Sequence, residues 1–247
     1  MNNSLQKLGK ETVEKLILEG YEVPYFLISG SHLYGTANEN SDIDFRGVFF
    51  APFNTRVGFA YKEDVDFGED GKLYEIKKFI KLLADNNPNI LEWAFSPRSN
   101  VFRLDPDFKD IVFADKQQYI NPARVQKKFI GYCMSEMSRL KKLNGKTGEK
   151  RRNIIEKYGY NTKSASNVMR IACGGIDLIS HGHLKLPYEN RELLLEIKNG
   201  KYSFDEFMSI AMPKVEKLRA FDGLEDKTDD IKGYAQGVLI SYIKSKM

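Results

Sequence analysis

Tyr25-Phe26-Leu27-Ile28-Ser29-Gly30-Ser31, followed after ten residues by Asp42-Ile43-Asp44-Phe45-Arg46-Gly47-Val48, decides how this chain reads. Pro24 leads into a short, strongly apolar run at 25–29, which has the length and composition of a buried strand. The stretch from Gly30 to Asn40 holds two glycines and several small polar residues. It reads as a loop with room for one helical turn. Residues 43–50 then read as a second strand. Side chains two apart on a strand share a face, so Asp42 and Asp44 would project together while Ile43 and Phe45 turn toward the core.

Upstream of this stretch, residues 4–20 have the spacing of an amphipathic helix. Ser4 stands as N-cap, Leu8, Val13, Leu16 and Ile17 form the apolar stripe, and Gly20 stops it. Residues 57–61 and 65–67 are weaker strand candidates, followed by the turn Glu69-Asp70-Gly71. Leu73, Ile76, Phe79, Ile80 and Leu83 fall at helical spacing, and a second short helix follows Pro88, with Asn87-Pro88 as stop and restart. From about residue 122 the pattern becomes helical throughout, over roughly 122–143, 148–158, 162–180, 203–220 and 228–246, with a break at Asn144-Gly145-Lys146-Thr147-Gly148. The expected fold is α+β. A mixed sheet flanked by helices fills residues 1–121, and an all-α part over 122–247 closes a nucleotide and acceptor cleft.

Two carboxylates about 6.5–7 Å apart on one strand face repel one another unless a cation lies between them. Hard oxygen ligands favour Mg²⁺, and paired aspartates suit a site for two ions bracketing a reacting phosphate. Gly30-Ser31, at the end of the preceding strand, brings small residues and backbone N–H groups that can approach phosphate oxygens. Phosphoryl transfer needs this division, with donors on the triphosphate tail and charge neutralisation at the reacting phosphate. Asp-x-Asp alone is a weak signal. Its order and spacing after the Gly-Ser turn make it specific.

Gly30-Ser31, ten residues, then Asp42-Ile43-Asp44 resembles the signature of the DNA-polymerase-β-like nucleotidyltransferase superfamily. The chain is more closely similar to its RNA-repair, or RNA-ligase-associated, branch. Gly30-Ser31-His32-Leu33-Tyr34-Gly35-Thr36, Ser41 through Val48, Asn87-Pro88-Asn89-Ile90-Leu91-Glu92 and Tyr158-Gly159-Tyr160-Asn161-Thr162-Lys163 carry that resemblance. Leu194 to Gly200 also fits, so the likeness spans about residues 25–220. Asn161 departs from it, standing where Asp is expected.

The resemblance implies magnesium-dependent transfer of a nucleoside monophosphate from an NTP, ATP foremost, to an acceptor hydroxyl. It implies two Mg²⁺ ions, with Mn²⁺ able to substitute, held by Asp42, Asp44 and a third carboxylate that acts on the acceptor proton. Asp66, in Val65-Asp66-Phe67, best matches the apolar-acid-apolar pattern, with Asp64 and Glu75 as alternatives. Gly30 and Ser31 would cradle the triphosphate. Arg46 continues the 42-44-46 series, where a cation would steady the aspartates or touch a substrate phosphate as a nucleotide-binding residue, the first role being favoured. Lys163 carries over as a triphosphate contact, and Arg170, two turns on, would extend that surface. The other readings are a non-catalytic nucleic-acid-binding repair scaffold and a protein adenylyltransferase.

The chain has 247 residues, 42% hydrophobic and 29% charged, ample for a packed core. Its net charge of +4 is unevenly placed: residues 124–163 hold 12 Lys/Arg against 3 Glu, so this stretch carries +9 and the rest sums to −5. Such an excess suits a polyanion, triphosphate or nucleic acid, and favours RNA as acceptor. No apolar run approaches the ~18 residues of a membrane span, and Met1 to Lys10 lacks a signal-peptide core. A cytoplasmic chain with reduced Cys133 and Cys173 is expected. His181-Gly182-His183 reads as the loop ending a helix, not as a metal site.

Overall fold

The computed structural model describes residues 3–39, 41–142 and 148–247; the break expected at 144–148 lies outside these but for Gly148. The chain divides into two compact units, residues 1–120 with 227–247, and residues 121–226. The fold is α+β, with a five-stranded mixed sheet flanked by helices and a helical C-terminal half. Among the described residues no helix is long and apolar enough to cross a membrane.

In the first unit, α1 (Asn3–Leu18) leads into β1 (Glu22–Ile28), then α2 (Gly30–Tyr34) and β2 (Phe45–Phe50). The short α3 (Phe53–Val57) precedes the hairpin of β3 (Asp64–Phe67) and β4 (Gly71–Glu75). α4 (Ile76–Ala84), α5 (Pro88–Ala94) and β5 (Val101–Leu104) follow. The sheet order is β3-β4-β2-β1-β5. β1 runs antiparallel to β2 and β5, β3 antiparallel to β4, and β2 parallel to β4.

The period of two sorts the strands onto two cores. Phe26, Ile28, Phe45, Phe49, Leu73 and Phe102 face α1, meeting Val13 and Leu16. Tyr25, Phe79, Phe108 and Trp93 pack on the other side, where the Tyr25 and Phe108 rings stack at 5.5 Å and the Tyr74 and Trp93 rings at 5.4 Å. Asn87 caps α5 by accepting from the Asn89 and Ile90 N–H groups, and the break before it is held by buried Asn86, whose amide donates to the Tyr119 carbonyl at 2.6 Å. The stop and restart at Asn87-Pro88 thus has a capping cause.

Four sequence expectations change. Residues 57–61 are not a strand: α3 ends at Val57, and Val57 and Phe59 stay exposed, leaving no sheet face to bury them. Leu73 begins no helix, because 71–75 pair with β2 and β3 first. Val101–Leu104 adds an edge strand too short to show a pattern. Finally, the last helix, Thr228–Ser245, belongs to the sheet unit and not to the helical one. Its Tyr242 is fully buried edge-on to Phe50 and Phe108, at 5.6 and 5.7 Å, and Lys246 pairs with Asp105 at 3.2 Å.

The second unit contains α6 (Pro122–Met137), α7 (Glu149–Tyr158), α8 (Thr162–His181), α9 (Arg191–Lys198) and α10 (Phe204–Arg219), and α11 (Thr228–Ser245) follows it. α8 is its centre, packed on α6, α9 and α10, and ends at His181 with Gly182 in the left-handed region. Cys133 and Cys173 are free thiols; burial pushes Cys133 up to about 12.

Tyr242→Ala is expected to destabilise the chain by about 3–5 kcal/mol, the usual range for truncating a buried large aromatic. Urea unfolding followed by Trp93 fluorescence measures it. A change no larger than that of an exposed-site substitution would remove the last helix from the sheet core.

Candidate active site

The site lies where β1 ends and β2 begins. The Ser29 N–H donates to the Asp44 carbonyl at 2.8 Å, extending the β1–β2 pairing one step past its last partners, Ile28 and Phe45. Asp42 and Asp44 stand just ahead of β2 and not within it, and Ile43, expected in the core, is 38% exposed. The position is physically apt. Within the strand, carboxylates would be walled in by neighbours, whereas here Asp42 is exposed and Asp44 half-buried. Ser41 clasps the incoming loop: its hydroxyl accepts from the Asn38 N–H at 2.8 Å and donates to the Asn38 side chain at 3.1 Å.

Gly30 opens α2 with φ at +60°, and its Cα faces the Asp44 side chain. A Cβ there would lie 2.1 Å from Asp44 Oδ2 and 2.9 Å from Cγ. Only glycine satisfies both the left-handed backbone and this approach. The loop backbone and the carboxylate are therefore in van der Waals contact, so an anion held by the loop and a cation held by Asp44 would be immediate neighbours. Trp93 fixes the same corner, its indole N–H donating to Ser29 Oγ at 3.2 Å, and Ser31 accepts from the Gly35 and Thr36 N–H groups as α2 closes.

Arg46 is tied down. Its Nη2 lies 3.1 Å from Asp44 Oδ1, and its Nη1 donates to the Phe45 carbonyl at 2.8 Å and to the Asp70 carbonyl. A guanidinium so engaged orients Asp44 and has little freedom to follow another group.

The other carboxylates are not brought together with this pair. Across the sheet, Arg46 stands opposite Lys72, and Lys72 opposite Asp66. Asp66 is thus two strands from β2, roughly 10 Å at the usual strand spacing. It is 75% exposed and paired with Lys72 at 2.9 Å. Asp64 pairs with Lys78 and Lys72, and the Lys78 hydrogen bond holds its carboxyl below the usual range. Glu75 lies opposite Phe49, at the far end of β2 from Asp44. It is fully buried, accepts from the Lys77 N–H to cap α4, and burial raises its carboxyl above the ordinary value. Among the described residues no three His, Cys, Asp or Glu side chains gather closely enough to hold a metal ion by themselves.

The register points instead to a residue that sequence reasoning passed over. Arg46 stands opposite Lys72 in a parallel pair, and that register, if carried two residues back beyond the start of both strands, would set Asp70 beside Asp44. Asp70 sits exposed in the turn before β4, with its carbonyl on Arg46. Its signal was the turn Glu69-Asp70-Gly71, whose meaning appears only once 71–75 is a strand beside β2.

In the helical unit, Lys163 is exposed on the first turn of α8, next to a concave surface. Arg170, two turns on, is buried and so does not extend the surface that Lys163 presents.

Gly30→Ala is expected to lower stability by about 1–3 kcal/mol, from a strained φ and displacement of the Asp44 carboxylate. Chemical unfolding measures it, and a variant as stable as the parent would show that Asp44 does not rest on this backbone.

Over 123 residues the chain is 28% identical to an uncharacterized 38.9 kDa protein from the nrdC–mobD intergenic region of Enterobacteria phage T4. The match takes in 44% of this chain and 36% of the phage protein, so the chain spans about a third of that relative's length. Residues 3–217, which hold the Gly-Ser turn, the paired aspartates and all of α8, match the family described as RNA repair pathway DNA polymerase beta family. The chain belongs to that family.

Proposed function

We propose that this chain is a Mg²⁺-dependent nucleotidyltransferase that moves a nucleoside monophosphate from an NTP, ATP foremost, to an acceptor hydroxyl, with RNA as the favoured acceptor. The observation that carries the reading is the contact between the Gly30 backbone and the Asp44 carboxylate. If the loop binds phosphate and the carboxylate binds metal, this contact supports the reading, because transfer from a triphosphate requires the two to be adjacent. Membership of a polymerase-β family agrees with this.

The donor set suits Mg²⁺, which commonly takes one or two carboxylates and completes its shell with water and substrate phosphates. Asp42 and Asp44 would hold it, with Mn²⁺ able to replace it. When bound, the metal supplies charge neutralisation at the reacting phosphate and at the leaving pyrophosphate. The chain's own groups do the rest. Gly30 and Ser31 N–H groups hold the triphosphate tail, and Arg46, anchored on the Phe45 and Asp70 carbonyls, keeps Asp44 in place.

In the transfer, the acceptor oxygen bonds to the α-phosphorus and the bond from that phosphorus to the α–β bridging oxygen breaks. Pyrophosphate leaves with the bridging oxygen. The hydroxyl proton passes to a carboxylate, a role we assign to Asp70 in place of Asp66, because Asp70, in the turn before β4, accepts at its carbonyl from the same Arg46 that pairs with Asp44.

Incubation with α-³²P-labelled NTPs, Mg²⁺ and an RNA pool tests the reading. Label is expected on RNA, reduced about 10³-fold or more by Asp42→Ala or Asp44→Ala, in line with losing a principal electrostatic group. Asp70→Asn is expected to lower transfer by about 10²–10⁴-fold, the scale of a general base, with Asp66→Asn close to the parent. RNA binding without transfer would make the chain a scaffold and sink the proposal, and label on protein instead would make it an adenylyltransferase.

A further inference from the structure

Asn87 through Glu92 carries part of the family resemblance, and its capping role explains how α5 starts but not where α5 leads. The helix leads to Trp93, the chain's one tryptophan, which is buried. Its polar atoms are bonded to β1 and to the residue that follows it. The Trp93 carbonyl accepts from the Tyr25 hydroxyl at 2.6 Å, and the indole N–H donates to Ser29 Oγ at 3.2 Å. Burial pushes the Tyr25 phenol far above its ordinary value, so it remains a donor. Stacking on Tyr74 at 5.4 Å and on Phe79 at 6.4 Å holds the indole plane.

An indole N–H can only donate, and when buried it needs an acceptor. The acceptor it takes here is one that local structure would use otherwise. Ser29 stands at the N-cap of α2, where a serine hydroxyl ordinarily accepts from the N–H groups of the helix it precedes. The Ser29 hydroxyl makes no such bond and takes the indole N–H from 64 residues away instead. Local preference set aside in this way is expected at a functional position. Ser29 is itself buried, its N–H donates to the Asp44 carbonyl at 2.8 Å, and the next residue is Gly30, whose backbone meets the Asp44 carboxylate. Whatever orients Ser29 therefore orients the turn against Asp44.

We infer that Trp93 is a positioning residue for the triphosphate: through its hydrogen bond to Ser29 it sets the Gly30-Ser31 turn against Asp44. The role rests on the reading of that turn as the nucleotide site. It also gives the Asn87–Glu92 motif a use beyond capping, since the buried Asn86 and the Asn87 cap fix the start of a helix that delivers Trp93 to Ser29. Trp93 touches no reacting atom in this scheme and acts through Ser29.

Label transfer, and the affinity of a fluorescent ATP analogue with Mg²⁺, are measured on the full chain in Trp93→Phe, Ser29→Ala and the double variant. Each single change is expected to lower kcat about 10- to 100-fold, the scale of a small misplacement of reacting groups. Each should weaken the analogue by only about 2- to 10-fold, the scale of one hydrogen bond. The double variant should lose no more than the larger single loss, because both changes remove the same bond. With one tryptophan, the chain gives one indole N–H signal in a ¹H–¹⁵N NMR spectrum. That signal is expected to shift when the analogue and Mg²⁺ are added to the parent, which the packing of α5 alone would not produce. Parent-like transfer and binding in both single variants, losses that multiply in the double variant, or an indole signal indifferent to the analogue would overturn the proposal. A parent that binds the analogue with the indole response but transfers no label would end the transferase reading and leave Trp93 its role in nucleotide binding.

Discussion

The contact between the Gly30 backbone and the Asp44 carboxylate is the constraint around which the first unit is arranged. A carboxylate resting on a backbone segment tolerates no Cβ there and requires a left-handed turn at the end of β1. That in turn requires β1 and β2 to be antiparallel neighbours with their pairing carried to Ser29 and Asp44. The surrounding fold keeps this corner in place. α5 presents Trp93 to Ser29, and the aromatic packing of Tyr74, Phe79 and Trp93 fixes α5 on the sheet. Arg46 spans from Asp44 to the turn before β4, so three consecutive neighbours in the sheet, β1, β2 and β4, meet at one point.

Much of this was legible in the sequence because it is local. The apolar run at 25–28, the glycine after it and the alternation through Phe45, Gly47 and Phe49 each carry their own signal over a few residues. The α+β class and the helical second half follow from the same periodicities. What was not legible depends on pairing between distant segments. Residues 71–75 carry two apolar side chains that suit a helix as well as a strand, and only β2 alongside decides the matter. Reading Leu73 as the start of a helix hid the turn before it, where the Asp70 carbonyl accepts from Arg46. Asp66 had the better local pattern, apolar-acid-apolar, and the register places it two strands away on Lys72. The last helix is a similar case: nothing in its own amphipathic pattern says which core it joins, and Tyr242 between Phe50 and Phe108 settles that.

The two units divide the electrostatic labour. The sheet unit concentrates carboxylates and balances most of them locally, Asp44 on Arg46, Asp66 on Lys72 and Asp64 on Lys78. The helical unit holds the positive excess. A chain of net charge +4 therefore presents two chemically opposite surfaces. Net charge alone would not have distinguished this arrangement from an ordinary solvated surface.

If Asp42, Asp44 and the Gly30-Ser31 turn form one site for a divalent metal and a triphosphate, metal binding and nucleotide binding depend on each other. Electron paramagnetic resonance of free Mn²⁺, titrated with the full chain and a non-hydrolysable NTP analogue, tests it most directly. Tight Mn²⁺ binding is expected that needs the analogue and is lost in Asp42→Asn and Asp44→Asn. Mn²⁺ binding that is the same in those variants and the parent, or that is indifferent to the analogue, would contradict it.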